Sequence, residues 1–297
     1  MKKKEKKHIA PNEASLVRWI IAAAVGFIIG IALVIASYFL MRMLPSSIMG
    51  VGFDQIDMMW TFVCYFIGFA IGLKLVAKTS LKEFVLGVGG KVNMKECLLI
   101  LGLYLIGYLA LILQGLDAVH LRGVKAGEFV FLFVFMLLTA WTQTTWEEFI
   151  FRGILFRWAC KNNIGFNKKS VIIVILTAVA FALGHVTNPE VTSQSGFNVV
   201  LAVSAYAIPG VVFAIADLYF GSLMPGIIIH WINNFVTFTL LGSDSGAMPL
   251  PTLLVSGDGG PISVVSMFVG TIIPYAPIIL YILWDSWKKK KKAASVA

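Results

Sequence analysis

Three short polar clusters interrupt the apolar stretches of this 297-residue chain, and their side chains are of the kinds that can activate water. They are EEFIFR at 147–152, FALGH at 181–185 and HWINN at 230–234. A carboxylate such as Glu147 can take a proton from water as a general base. One histidine can orient that water or bind a metal, while a second histidine and an amide N–H can stabilise an oxyanion. The three clusters together therefore indicate hydrolytic chemistry.

Spacing divides the roles within the first cluster. Glu148 and Arg152 are four residues apart, so on a helix they share a face and are predicted to form an ion pair. Glu147 is rotated from them by about 100° and has no obvious partner. Because a charge in an apolar span costs several kcal/mol unless it is paired or faces water, Glu147 is expected to face a water-filled cavity.

The two histidine clusters have comparable spacing. Phe181 lies one helical turn before His185, so the two rings are predicted to stack on one face. His230 and Asn234 are also four apart and share a face, whereas Asn233 is expected to point away from Asn234. Each cluster alone is equally explained by hydrogen bonds between membrane helices. Their combination on three helices is what favours a shared site.

The composition indicates what kind of element positions these residues. The chain is 59% hydrophobic and only 13% charged, with a mean hydropathy of +0.87. Soluble domains have about 25% charged residues. The sequence therefore predicts an all-α, polytopic membrane protein with a buried polar active-site cavity. Runs of about 20 apolar residues predict eight transmembrane helices, at 16–42, 56–77, 96–115, 128–157, 170–187, 196–217, 221–241 and 262–285.

The basic residues predict the orientation. If the N-terminus is cytoplasmic, 20 of the 24 lysines and arginines fall on the inner side, three fall outside, and Arg152 lies in a span. The positive-inside rule therefore predicts a multi-pass protein with cytoplasmic N- and C-termini, and a bacterial cell membrane is expected. Since the lysine runs flank apolar spans, they are expected to meet the lipid bilayer, and nucleic acid is not an expected partner.

The predicted organisation has five parts. A basic cytoplasmic tail (1–15) precedes spans one to three with their basic inside loop (16–127). The catalytic core comprises spans four to seven (128–241). The final span (262–285) leads into a basic cytoplasmic tail (286–297).

The motifs E-E-x-x-x-R, F-x-x-x-H and H-x-x-x-N, in this order, resemble those of the CPBP family. That family includes the type II CAAX prenyl endopeptidases and the bacterial Abi proteins. The resemblance covers residues 128–241, less than half of the chain, and it implies an intramembrane endopeptidase that acts on a peptide or a membrane protein. For a bacterial protein, peptide precursors, pheromones or membrane-protein tails fit better as substrates than prenylated CAAX proteins.

The resemblance also implies roles for individual residues. Glu147 corresponds to the catalytic base and His185 to the residue that helps to hold the water. His230 and Asn234 correspond to the pair on the oxyanion side. Glu148 and Arg152 correspond to the supporting pair.

Two questions stay open at the level of sequence. The first is whether a divalent metal such as zinc takes part, for which Glu147, His185 and His230 would be the ligands. The chain has no HExxH motif to fix two ligands on one helical turn. The second is whether the protein instead binds peptides without cleaving them, as a bacteriocin immunity factor would, or transports ions or solutes.

Residue counts suggest where water reaches the site. Glu147 and His230 both lie about 15 Å from the inner face, whereas His185 is nominally about 10 Å deeper. The cavity is therefore expected to open to the cytoplasm, while the deeper position of His185 leaves open a cavity that reaches further across or opens sideways into the lipid between helices. A basic rim there would attract an acidic or C-terminal carboxylate end of a substrate. The rim residues would be Arg157, Lys161, Lys168 and Lys169.

Overall fold

The computed structural model describes residues 15–87, 89–115, 119–160, 164–242, 248–256 and 263–295. The predicted N-terminal tail, apart from Ser15, therefore lies outside the described residues. The α-helices are α1 Leu16–Arg42, α2 Phe53–Gly72, α3 Leu81–Leu86, α4 Met94–Gln114, α5 Ala126–Glu148, α6 Ile154–Cys160, α7 Lys168–Leu183, α8 Pro189–Thr192, α9 Phe197–Phe220, α10 Met224–Thr239 and α11 Val264–Ala294. A π-helical turn, Leu73–Ala77, extends α2, and another, Phe149–Gly153, joins α5 to α6.

Short strands connect some of the helices. An antiparallel pair, β1 (Ser47–Ile48) and β2 (Val51–Gly52), lies between α1 and α2. A second sheet has the order β3 (Val119–Leu121), β5 (Leu254–Ser256), β4 (Leu241–Gly242), with β5 antiparallel to β3 and parallel to β4. This sheet ties the loop before α5 to the segments that follow α10.

The predicted all-α, polytopic membrane class is confirmed. Among the described residues, six helices are long and apolar enough to cross a membrane. They are Leu16–Arg42, Phe53–Ala77, Met94–Gln114, Ala126–Cys160, Phe197–Phe220 and Val264–Ala294. Helices α7 and α10 have 16 residues each, which is about 24 Å against a hydrocarbon core of about 30 Å. The count of eight spans therefore stays a prediction.

The loops gather at two ends of the helix bundle. At one end, the guanidinium of Arg157 donates to the carbonyl oxygens of Phe84 (2.5 Å) and Val85 (2.8 Å), and the amide of Leu223 also donates to Val85 (3.0 Å). We call this the basic end. It contains the α2–α4, α6–α7 and α9–α10 loops. The remaining loops form the opposite end, where β3 pairs with β5.

Two helix ends differ from the prediction by more than three residues. The fifth span was expected to reach 187, but α7 ends at Leu183, where the next residue, Gly184, is a poor helix former. In contrast, α11 continues to Ala294, so most of the predicted tail from 286 is helical. An ion pair between Lys289 and Asp285 (2.7 Å) joins successive turns of this extension.

Helix α10 lies at the centre of the bundle. Eleven of its 16 residues are buried, and it packs against α4, α5 and α9. Its first turn is held by Asp217 of α9, whose carboxylate accepts a 2.7 Å hydrogen bond from the amide of Gly226. Asp217, the clearest ionisable residue in the spans outside the three clusters, thus anchors the helix that carries His230 and Asn234.

Glycines bring α1 and α2 into backbone contact. A Cβ at Gly68 would overlap backbone atoms of both Gly26 and Gly30. Gly26 and Gly30 on α1, like Gly68 and Gly72 on α2, are four residues apart and allow this close packing, as in other membrane helix pairs.

We expect Gly68→Ala to lower the free energy of unfolding by about 1–3 kcal/mol, since a well-packed contact does not accept an added methyl group. Thermal unfolding of the detergent-purified protein measures this change. Gly102→Ala on α4 is the matched control, because nothing lies within 4 Å of a Cβ at Gly102. Equal melting temperatures for the two variants would contradict the packing argument.

Candidate active site

The predicted ion pair is present at the start of the π-helical turn. Arg152 Nε lies 2.6 Å from Glu148 Oε2, and Arg152 Nη2 lies 2.7 Å from Oε1. Both side chains are fully buried, and the guanidinium packs over the rings of Phe181 (4.7 Å) and Phe213 (5.2 Å). The wider turn at Phe149–Gly153 follows Glu148 directly, and such turns within α-helices are frequent at functional sites.

The neighbouring glutamate points elsewhere. The Glu147 side chain is 13% exposed and lines a cavity, whereas Glu148 is 0% exposed. Glu147 also has two polar neighbours, although the sequence indicated no obvious partner for it. Gln143, one turn earlier on the same face, donates to Oε1 at 3.2 Å, and His230 Nε2 lies 3.5 Å from Oε2. The one-turn spacing of Gln143 is a signal that could have identified it.

His230 lies between the two glutamates. Its Nδ1 is 2.8 Å from Glu148 Oε1, and its Nε2 is the atom that faces Glu147. The imidazole stacks on Phe213, with ring centroids 4.9 Å apart. Since a carboxylate only accepts hydrogen bonds, Glu148 holds the proton on Nδ1 and fixes which nitrogen is directed to Glu147.

His185 reaches the same cavity from the turn after α7. Its Nδ1 lies 2.7 Å from the carbonyl oxygen of Phe181, which places the proton on Nδ1 and leaves a lone pair on Nε2. The predicted contact between the Phe181 and His185 rings is present at 4.5 Å, and Phe181 also packs edge-on against His230 at 5.4 Å. The expected difference in depth does not separate the two histidines, because His185 follows the end of α7 instead of continuing it.

Asn234 lines the cavity, and its orientation is set by a residue that was expected to point away. Asn233 Nδ2 donates to Asn234 Oδ1 at 3.0 Å. The Oδ1 of Asn233 in turn accepts hydrogen bonds from the hydroxyls of Tyr104 and Tyr275, both at 2.9 Å. With its oxygen engaged, Asn234 has its amide N–H groups available as donors. No spacing in the sequence connects the two tyrosines, on α4 and α11, with this position.

The four predicted catalytic residues line one cavity of about 720 Å³, within the range of small-ligand sites. Glu148 and Arg152 are absent from its lining and lie behind His230. Loop residues of the opposite end complete the wall. They are Thr187, Asn188, Pro189, Glu190, Gly242 and Met248. The expectation that the cavity opens towards the basic loops is therefore wrong.

The expected basic rim is also absent from the described lining. Arg157 is 1% exposed and is bound to backbone carbonyls at the basic end. Lys168 and Lys169 begin α7 at that same end, and Lys161 lies outside the described residues. The rim prediction failed because it measured depth along straight helices and did not include the packing of α3 over Arg157.

The arrangement of the three predicted zinc ligands decides whether they could hold a metal ion. Glu147, His185 and His230 line the cavity together, but no group of three His, Cys, Asp or Glu side chains in the described part of the chain is placed so that it could hold a metal ion. In this arrangement the three residues do not fit a metal site, and they are assigned roles as side chains without a metal.

Comparison with known proteins agrees with the motifs. Residues 129–236 match the family model for Rce1-like type II CAAX prenyl endopeptidases, a segment that contains all three polar clusters. No curated protein and no solved structure matches the chain. Residues 129–236, a little over a third of the chain, are therefore similar to the CAAX prenyl endopeptidase family that the motifs resemble.

Proposed function

We propose that this protein is an intramembrane endopeptidase in which Glu147 is the general base. The observation that carries the proposal is the division between the adjacent glutamates. Glu148 is fully buried and bound to Arg152 and His230, whereas Glu147 reaches a cavity of about 720 Å³. A carboxylate that lies outside the buried pair of Glu148 and Arg152 and that faces space for water is suited to proton abstraction.

The reaction would begin with a water molecule held between Glu147 and the Nε2 lone pair of His185. Glu147 takes one proton from this water while the oxygen attacks the peptide carbonyl carbon. The tetrahedral intermediate then collapses, the C–N bond breaks, and the protonated Glu147 returns the proton to the leaving amine. All atoms are accounted for without a further reactant.

The negative oxygen of the intermediate needs donors placed in advance. Asn234 supplies amide N–H groups, because its oxygen is engaged by Asn233. His230 supplies Nε2–H in its doubly protonated form, while Nδ1–H stays bound to Glu148. That positive charge would balance the formal charge of −1 on the group formed by Glu147, Glu148 and Arg152.

The substrate class supported by the cavity is a peptide segment at or within the bilayer. We place both termini in the cytoplasm, because 20 of the 24 basic residues then lie on the inner side, and we keep the expected bacterial cell membrane as part of the proposal. In that orientation the opposite end of the bundle, where the cavity opens, faces the outside of the cell.

Mass spectrometry of membrane peptides tests the proposal. Cells with the wild-type protein are compared with cells carrying Glu147→Gln, which keeps the size of the side chain and removes the base. We expect a set of cleaved peptides to disappear in the variant. A peptide-binding immunity factor would instead keep both its peptide profile and its protective effect, and that result would reject the protease.

The direction of access has its own test. In a background without Cys64, Cys97 and Cys160, we expect a cysteine introduced by Thr187→Cys to react with a membrane-impermeant maleimide in intact cells. Thr187 lines the cavity at the opposite end. A cysteine introduced by Ser222→Cys at the basic end is the control and should react only in inverted vesicles. The reverse labelling pattern would show that the orientation is wrong.

A further inference from the structure

A second carboxylate lines the cavity, and the proposed mechanism does not use it. Glu190, on the short helix α8, is 8% exposed and belongs to the wall that also contains Glu147. Its Oε1 accepts hydrogen bonds from the hydroxyl of Tyr206 and from Asn188 Nδ2 (3.2 Å). Its Oε2 is buried and has no hydrogen-bond partner among the residues that the structure describes. The carboxylate is therefore held firmly by one oxygen, and the other is left for a ligand.

Glu190 lies close to the proposed reacting groups, because Tyr206 connects it to His185. The ring of Tyr206, whose hydroxyl binds Glu190, stacks on the imidazole of His185 at a centroid distance of 4.3 Å. Glu190 is thus one aromatic side chain away from the histidine that we assign to the water. A group bound at Glu190 would belong to the same substrate as the peptide bond at Glu147, at a distinct point along it.

The carboxylate of Glu190 adds a negative charge to the cavity that the groups of the proposed mechanism do not balance. The described lining of the cavity contains two carboxylates, Glu147 and Glu190, and no lysine or arginine. A buried carboxylate that lacks a cationic partner is costly, and the cost is recovered when a cation binds and completes its hydrogen bonds. The acidic walls also raise the local concentration of cations over anions. This selectivity is the opposite of the one predicted from the basic loops.

We propose that Glu190 is a specificity subsite for a positively charged nitrogen of the substrate, either the ammonium of a lysine side chain or the free N-terminal amine of a peptide. Oε2 accepts the hydrogen bond from this group, while Tyr206 and Asn188 keep the carboxylate in place. The proposal rests on the proposed peptidase function for the identity of the substrate, but binding at Glu190 does not require hydrolysis.

Binding of three fluorescein-labelled peptides to the full-length protein in detergent tests the subsite. Their backbone amides are N-methylated so that they resist hydrolysis, and they share one apolar sequence. The first is acetylated and contains one lysine. The second is acetylated and has norleucine in place of the lysine. The third has norleucine and a free N-terminus.

We expect fluorescence anisotropy to show that one of the two cationic peptides binds about tenfold more tightly than the acetylated norleucine peptide, as a hydrogen bond to a charged group allows. Tighter binding of the lysine peptide would identify the cation as a side-chain ammonium, and tighter binding of the third peptide would identify it as the N-terminal amine. Glu190→Gln should abolish this preference and leave the affinity for the acetylated norleucine peptide unchanged. Glu128→Gln, which alters a glutamate outside the cavity lining, should retain the preference.

Equal affinities of the wild-type protein for all three peptides would overturn the proposal, even if Glu190→Gln failed to fold. A preference that survived in a folded Glu190→Gln variant would overturn it as well. Because anisotropy reports binding alone, the subsite can stand if Glu147→Gln proves not to change the membrane peptides. Conversely, loss of the subsite would leave the peptidase proposal intact.

Discussion

Replacing Arg152 by methionine is expected to lower the free energy of unfolding by about 3–5 kcal/mol, the usual cost of removing one partner from a buried ion pair. Methionine retains most of the volume that packs on Phe181 and Phe213, so the loss reports mainly the charge. Without the guanidinium, Glu148 would keep only His230 as a partner, at a fully buried position. The thermal unfolding midpoint and the amount of monodisperse protein after purification measure this effect.

The double variant Glu148→Gln/Arg152→Met separates the pair from the packing. Glutamine has no charge that requires compensation, so the double variant should be more stable than Arg152→Met alone. It should remain inactive if Glu148 is needed to hold His230. If Arg152→Met accumulated normally and the double variant were no more stable, Glu148 and Arg152 would not depend on each other.

Replacing Glu147 by glutamine should reduce peptide hydrolysis by about 10²–10⁴-fold, the range that general-base catalysis contributes. The amide cannot take a proton from water, although it has nearly the same size and can still accept a hydrogen bond from Gln143. Because Glu147 faces the cavity and is not part of the buried pair, expression and thermal stability should stay close to those of the wild type. Turnover is measured on a peptide identified by the membrane mass spectrometry.

Glu128→Gln is the matched control for this variant, since Glu128 lies on the same helix, α5, but near its N-terminus, and is absent from the cavity lining. It should hydrolyse the peptide at the wild-type rate. Wild-type turnover by Glu147→Gln would remove Glu147 as the base. A loss of activity that was accompanied by a large drop in melting temperature would instead show that Glu147 supports the fold.

Features that depend on local helix geometry could be derived from the sequence. The ion pair of Glu148 and Arg152 and the contact of Phe181 with His185 both follow from four-residue spacing, which places side chains one turn apart. The membrane class followed from composition, because about 20 consecutive apolar residues have few stable alternatives to a spanning helix.

Other features depend on contacts between residues far apart in the chain. Asn233 was expected to point away, yet hydroxyls from Tyr104 and Tyr275, on two other helices, orient it towards Asn234. Glu190 looked like an ordinary loop carboxylate until the packing of α9 placed Tyr206 beside it. Helical periodicity predicts in which direction each side chain points from its own helix axis. It does not predict which helices pack against each other.

A polytopic helical membrane protein with three polar clusters that match a peptidase family can be inferred from the chain alone, because hydropathy and motif spacing do not depend on how the helices pack. In contrast, the end of the bundle to which the cavity opens follows from the packing of the helices and loops. The end of α7 at Leu183 and the loops around Glu190 and Gly242 form that opening, while Arg157 is buried at the basic end. A depth counted in residues assumes straight, parallel helices. Such a count contains no information on which end of the bundle is covered by packed loops.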